Sequence, residues 1–87
     1  MKFEDKYVSV ENRYSLGIEV ESETLYLSVP VTNGIVDYEE YYKLSEKEFE
    51  SFSEHPNLAA TFADECRKQE HDERLMQKPG WNRGTAI

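Results

Sequence analysis

Hydrophobic and polar positions alternate through the first half of the chain. Tyr14, Leu16, Ile18 and Val20 occupy every second position, with Ser15, Gly17, Glu19 and Glu21 between them. A period of two is that of a half-buried strand. Leu25, Leu27, Val29 and Val31 repeat it against Thr24, Tyr26, Ser28 and Thr32, and Glu21-Ser22-Glu23 reads as the loop between the two runs. Asn33-Gly34 is a strong hairpin signal, because both central residues of a type I′ turn need positive φ. The next strand is expected over residues 35–44, with Val36, Tyr38, Tyr42 and Leu44 on one face and Asp37, Glu39, Tyr41 and Lys43 on the other. An earlier strand is expected over residues 6–10, where Val8 and Val10 alternate with Tyr7 and Ser9. The pattern predicts a four-stranded antiparallel meander from Lys6 to Leu44 with one wet face. Pro30 cannot donate to a ladder, so it is expected at a bulge or a local edge.

The second half changes period. Ser45-Glu46-Lys47-Glu48 forms a capping box, and Phe49 and Phe52 follow at helical spacing, so a short helix runs to about Glu54. His55-Pro56 stops it, because the residue before proline is pushed out of the α region. A second helix, capped by Asn57, is expected to carry Leu58, Ala59, Phe62, Ala63 and Cys66 as its apolar stripe. Its charged turns, Arg67 to Arg74, are expected to extend into solvent before Lys78-Pro79-Gly80 ends the helix. The fold class is thus α+β, with both helices packed on one face of the sheet. Residues 1–78 form the expected domain and residues 79–87 a tail, with Trp81 read as a plug for the sheet rather than an exposed anchor.

Composition narrows the function. The 87 residues hold 18 acids and 10 bases, a formal charge of −8. That balance disfavours direct nucleic-acid binding and repels an anionic membrane. No apolar run is long enough for a transmembrane helix, and the first residues lack the apolar core of a signal peptide. With the single cysteine, Cys66, these features lead to the expectation of a cytoplasmic protein. The charge is also localised: residues 1–54 hold 13 acids and 5 bases, whereas residues 55–87 hold 5 of each.

Asp37-Tyr38-Glu39-Glu40-Tyr41-Tyr42 is the most unusual local feature. Acids steer a basic partner, and tyrosine supplies contact area at low rotamer cost. Two readings fit this run. One is an ordinary strand with inward tyrosines and solvated acids; the other is an interface that covers a basic cleft. On the second, the candidate partner-binding residues are Asp37, Glu39, Glu40, Tyr41 and Tyr42, with Glu19 and Glu21 outward on the second strand and Glu46 and Glu50 on the first helix. His55, Cys66, His71 and Asp72 do not have the paired spacing of a zinc site. Cys66 falls on the apolar stripe as a small hydrophobe, and His71 is expected to be exposed. No catalytic motif, metal or cofactor is expected.

The stretch Val29-Pro30-Val31-Thr32-Asn33-Gly34-Ile35-Val36-Asp37-Tyr38-Glu39-Glu40-Tyr41-Tyr42, then Phe62, Cys66 and Arg67, then Pro79-Gly80 and Arg83-Gly84, resembles a family of short bacterial proteins over most of the chain. That family has no established enzymatic activity, so the resemblance implies no reaction. In size, acidity and α+β form the chain is also similar to the immunity proteins of bacterial toxin–immunity pairs, including those of contact-dependent inhibition. Such proteins bind a cognate nuclease toxin and block its active site or substrate channel. This likeness is one of character and carries over no residue by position. The leading expectation is a non-enzymatic inhibitor of a basic partner. The alternatives are a small self-associating structural or regulatory protein, for instance a homodimer, and a nucleic-acid mimic that inhibits a DNA-binding enzyme.

Overall fold

The computed structural model describes all of Met1–Ile87. Strands β1 (Phe3–Ser9), β2 (Tyr14–Glu19), β3 (Thr24–Thr32) and β4 (Asp37–Leu44) form an antiparallel meander in the order β1-β2-β3-β4. Helices α1 (Glu46–Glu54) and α2 (Pro56–Arg67) cover one face. A two-residue strand, β5 (Thr85–Ala86), completes the sheet. The architecture is the expected α+β form, and no helix is long and apolar enough to cross a membrane.

Strand parity decides what each face carries. Leu16, Leu27, Val29, Val31, Tyr42 and Leu44 point to the helices and meet Ala59, Phe62, Ala63 and Cys66 of α2. Phe49 and Phe52 of α1 pack beside them, with Phe52 tilted on Phe62 at 5.2 Å between centroids. Leu58, expected in the stripe, is exposed. The capping box forms as expected: Glu48 N–H donates to Ser45 Oγ at 3.1 Å, and Ser45 N–H donates to Glu48 Oε1 at 2.9 Å. The residue at the N-cap of α2 is His55 rather than Asn57, because Pro56 takes the first helical position, where its missing N–H costs nothing.

The opposite face is not simply wet. Phe3 stacks on Tyr41 at 3.6 Å between centroids, and Tyr26 meets both rings edge-on. The Tyr26 ring lies across β2 at Gly17, where a Cβ would meet the Tyr26 hydroxyl at 2.5 Å and the Glu4 carbonyl oxygen closer still. A glycine there lets the tyrosine reach β1, where its hydroxyl donates to Asp5 Oδ1 at 2.5 Å. This second aromatic cluster explains why the first strand begins at Phe3 rather than Lys6. Val10 falls outside that strand, exposed in the following turn.

Four further expectations give way to the structure. Asn33-Gly34 does not make a two-residue turn: only Gly34 has positive φ. Asn33 Oδ1 instead accepts from the N–H of Ile35 and Val36, both at 3.0 Å, and β4 starts at Asp37. Helix α2 stops at Arg67, not beyond Arg74. Gln69 adopts φ 63°, its N–H donates to Cys66 O, and Glu70 N–H donates to Glu65 O at 3.0 Å. That is a Schellman cap built without glycine, so no sequence signal announced it. The chain then doubles back. His71, expected in solvent, stacks on Phe62 at 4.4 Å and bonds Glu65 at 2.7 Å. Trp81 is not a plug; it is 98% exposed.

The C-terminal segment docks by other means. Pro30 lies in β3 beyond the last residue paired with β2, in unbroken register with Glu39 of β4. It therefore sits at a local edge, and β5 pairs with the neighbouring Val31 and Thr32. Gly84 passes so close to Thr32 that a Cβ would lie 2.7 Å from its carbonyl oxygen. Arg83, just before it, reaches Glu40 and Asp72.

Candidate functional site

The acid–tyrosine run is divided by the pleat of β4. Tyr38, Glu40 and Tyr42 turn toward the helices, whereas Asp37, Glu39 and Tyr41 turn to the outer face. Glu40, with an 8% exposed side chain, is closed by Arg83, whose Nε donates to Oε2 at 2.8 Å and whose Nη2 donates to Oε1 at 3.1 Å. Tyr42 is fully buried; its hydroxyl donates to Glu40 Oε1 at 2.9 Å and to Cys66 O at 3.3 Å. Burial and the Glu40 carboxylate push the Tyr42 phenol up. Neither residue presents itself to a partner.

Glu19 is also inside. Expected to point into solvent, it is 1% exposed. Its carboxylate accepts from the Ser22 hydroxyl at 2.6 Å and from the backbone N–H of Lys2, Ser22 and Glu21 at 2.7, 2.9 and 3.1 Å. It ties the β2–β3 turn to the N-terminal residues. These donors, the Ser22 hydroxyl first, hold its pKa at about 2 against an ordinary 4.5. A carboxyl depressed in the folded state stabilises fully above its unfolded pKa, and that stability is lost as pH falls through the folded value. The loss from Glu19 therefore runs from about pH 4.5 down to about 2. Glu19→Gln is expected to flatten the acid limb of a stability–pH curve in that window, measured by urea unfolding. A variant whose limb is as steep as the parent's would contradict this role.

The remaining candidates occupy separate places. Glu21, 3.5 Å from the N-terminal amine, lies in the β2–β3 turn, and Glu46 lies beside that end of the sheet with Glu23. Glu50 lies exposed on α1. Asp37, Glu39 and Tyr41 stand together on β4, toward the opposite end. Glu39 is half-buried and accepts from Ser28 Oγ at 3.0 Å. Burial and, after it, the nearby Asp5 carboxylate push the Glu39 pKa up, against the Ser28 hydrogen bond. Burial also pushes the Tyr41 phenol up, helped by Glu39 and Asp5.

Glu39 borders two grooves. One, of about 220 Å³, lies between Tyr38, Glu39 and Tyr41 of β4 and the segment carrying Gln77, Pro79 and Asn82. The other, of about 310 Å³, is lined by Val8, Val10, Pro30 and Glu39. Val10, Ile35, Val36 and Trp81 are all strongly exposed in the loops at this end of the sheet and its margin. Arg83 and the Gln77–Asn82 wall were not among the residues expected at the site, and Trp81 was expected as a plug rather than in solvent. The first had a signal: an acid at an inward position of β4, Glu40, requires a cation.

Burial pushes the Cys66 thiol up to about 12, which keeps it protonated and unreactive at neutral pH. No three His, Cys, Asp or Glu side chains gather closely enough to share a metal ion. Comparison with protein-family models, curated proteins and solved structures finds no match to this chain.

Proposed function

We propose that this chain is a non-enzymatic acidic binding protein of the immunity type, which occludes the basic active-site or substrate cleft of a nuclease toxin. The observation that carries the reading is how the charges are used. Arg67, Arg74 and Arg83 are engaged internally with Asp64, Glu48, and Glu40 plus Asp72, at 2.7–2.8 Å. Asp5, Asp37 and Glu39 have no ion pair, although Arg13 and Lys78 line the grooves beside Glu39. This surface therefore keeps acids without an ion-pair partner next to exposed apolar side chains. Such a surface draws a basic partner rapidly and gives it a dry patch to seat on.

The test is a cleavage assay with a nuclease encoded beside this chain. Stoichiometric protein is expected to abolish nucleic-acid cleavage, and the double variant Asp37→Lys/Glu39→Lys is expected to need about a hundredfold more protein for the same block, as for loss of close interfacial charge pairs. Cleavage at an undiminished rate in the presence of excess parent protein would contradict the reading.

A further inference from the structure

We infer that the open half of the β4 edge, Asp37–Glu40, receives an extended basic segment of the partner as an added strand. This rests on the binding function proposed above and specifies how the partner is held. The sheet has two outer strands, β1 and β4. The β1 edge is blunted by a register shift between Asp5 and Tyr7 that leaves Lys6 unpaired. A bulge and a lysine are common ways of blocking strand addition. The β4 edge is treated differently along its length. Near Leu44 it is covered: Met76 N–H donates to Tyr41 O at 2.9 Å, Arg74 Nη1 donates to Lys43 O at 3.2 Å, and Leu75 bridges Tyr42.

That covering fixes the direction of the backbone. In an antiparallel strand the residues that bond one neighbour alternate with those that bond the other. Since the carbonyls of Tyr41 and Lys43 face the edge, the N–H and C=O of Glu39 and Asp37 face it too. No strand of this chain continues beside them. Beyond Met76 come Pro79, which has no N–H to donate, and Gly80, a weak strand former, and the chain leaves the ladder there. The groove of about 220 Å³ between Tyr38–Tyr41 and this departing segment is the space left beside the open edge.

Charge selects the occupant. A second copy of this chain pairing through the same edge would set Asp37 and Glu39 close to their own counterparts, and like charges across a ladder are destabilising. A segment with lysine or arginine at alternate positions would set cations across from both carboxylates, about 4.5–5.5 Å apart at Cβ.

The test uses the full chain, labelled for amide exchange by NMR, with two synthetic peptides. The first is a capped hexapeptide alternating arginine and valine. The second has the same residues with alternate backbone nitrogens methylated, so that it keeps its charge and cannot complete a ladder. The first is expected to bind and slow exchange at the Asp37 and Glu39 amides about tenfold or more, and the second to bind about tenfold more weakly, as a net hydrogen bond or two would require. Equal binding of both peptides, with those amides exchanging as in the free chain, would overturn strand addition while leaving an acidic binding surface. Failure of both to bind at low salt would overturn the strand addition and count against the acidic-surface reading as well.

Discussion

Replacing Arg83 by alanine is expected to destabilise the fold by about 3–5 kcal/mol, the usual cost of stranding one member of a buried ion pair. The guanidinium is 17% exposed and the Glu40 side chain 8%, so water does little to screen the contact. Two of its nitrogens hold Glu40 and two hold Asp72, at 2.8–3.1 Å. Asp72 is the more exposed acid, and its loss adds little. Its pKa is held down chiefly by Arg83, so that share of stability is present above the ordinary carboxylate range and fades as pH falls below it. The larger part is Glu40, left among Tyr38, Tyr42 and the core with only the Tyr42 hydroxyl as donor. Adding Glu40→Gln to the alanine variant is expected to restore part of the loss, because it removes the stranded charge. Urea midpoints measure both effects. An alanine variant within about 0.5 kcal/mol of the parent, the range of ordinary surface substitutions, would show that Arg83 does not close the core.

Tyr42→Ala is expected to cost a similar amount, about 3–5 kcal/mol, as a large buried aromatic removed from a packed core. Tyr42→Phe keeps the ring and loses the hydroxyl that bridges Glu40 and the Cys66 carbonyl, so about 1–2 kcal/mol is expected. The pair separates two roles that the acid–tyrosine run leaves open. If Tyr42 serves the core, the phenylalanine variant binds a partner as well as the parent does while unfolding at lower denaturant. A phenylalanine variant of full stability that had lost partner binding would place Tyr42 at an interface instead.

Much of the fold could be read from periodicity because the inner face obeys it. Leu25, Leu27, Val29 and Val31 alternate without a break, and Ser45 with Glu48 marks the start of α1 as the capping box predicts. The candidate site was less legible, for three physical reasons. The outer face has its own aromatic cluster, made possible by Gly17, so polar spacing did not mean solvent there. Glu19 reads as an outward acid, but four donors from distant and local residues enclose it, and such enclosure leaves no trace in hydropathy. Glu40 has the same parity as Tyr38 and Tyr42, and only a cation more than forty residues away, Arg83, makes that position tenable. The fate of the C-terminal segment was hidden as well. Its anchors are one arginine and two residues of strand, and its most hydrophobic side chain, Trp81, stays in solvent.

On the proposed function, the unpaired acids at the Asp37–Glu39 end of the sheet bind a basic protein. The decisive test is titration calorimetry of a purified nuclease toxin encoded beside this chain with the parent and with Asp37→Lys/Glu39→Lys, at low and at physiological salt. Parent affinity is expected to fall as salt rises, and the double variant to bind about a hundredfold more weakly at low salt with little salt dependence left. Equal affinities for the two proteins at both salt concentrations would contradict it.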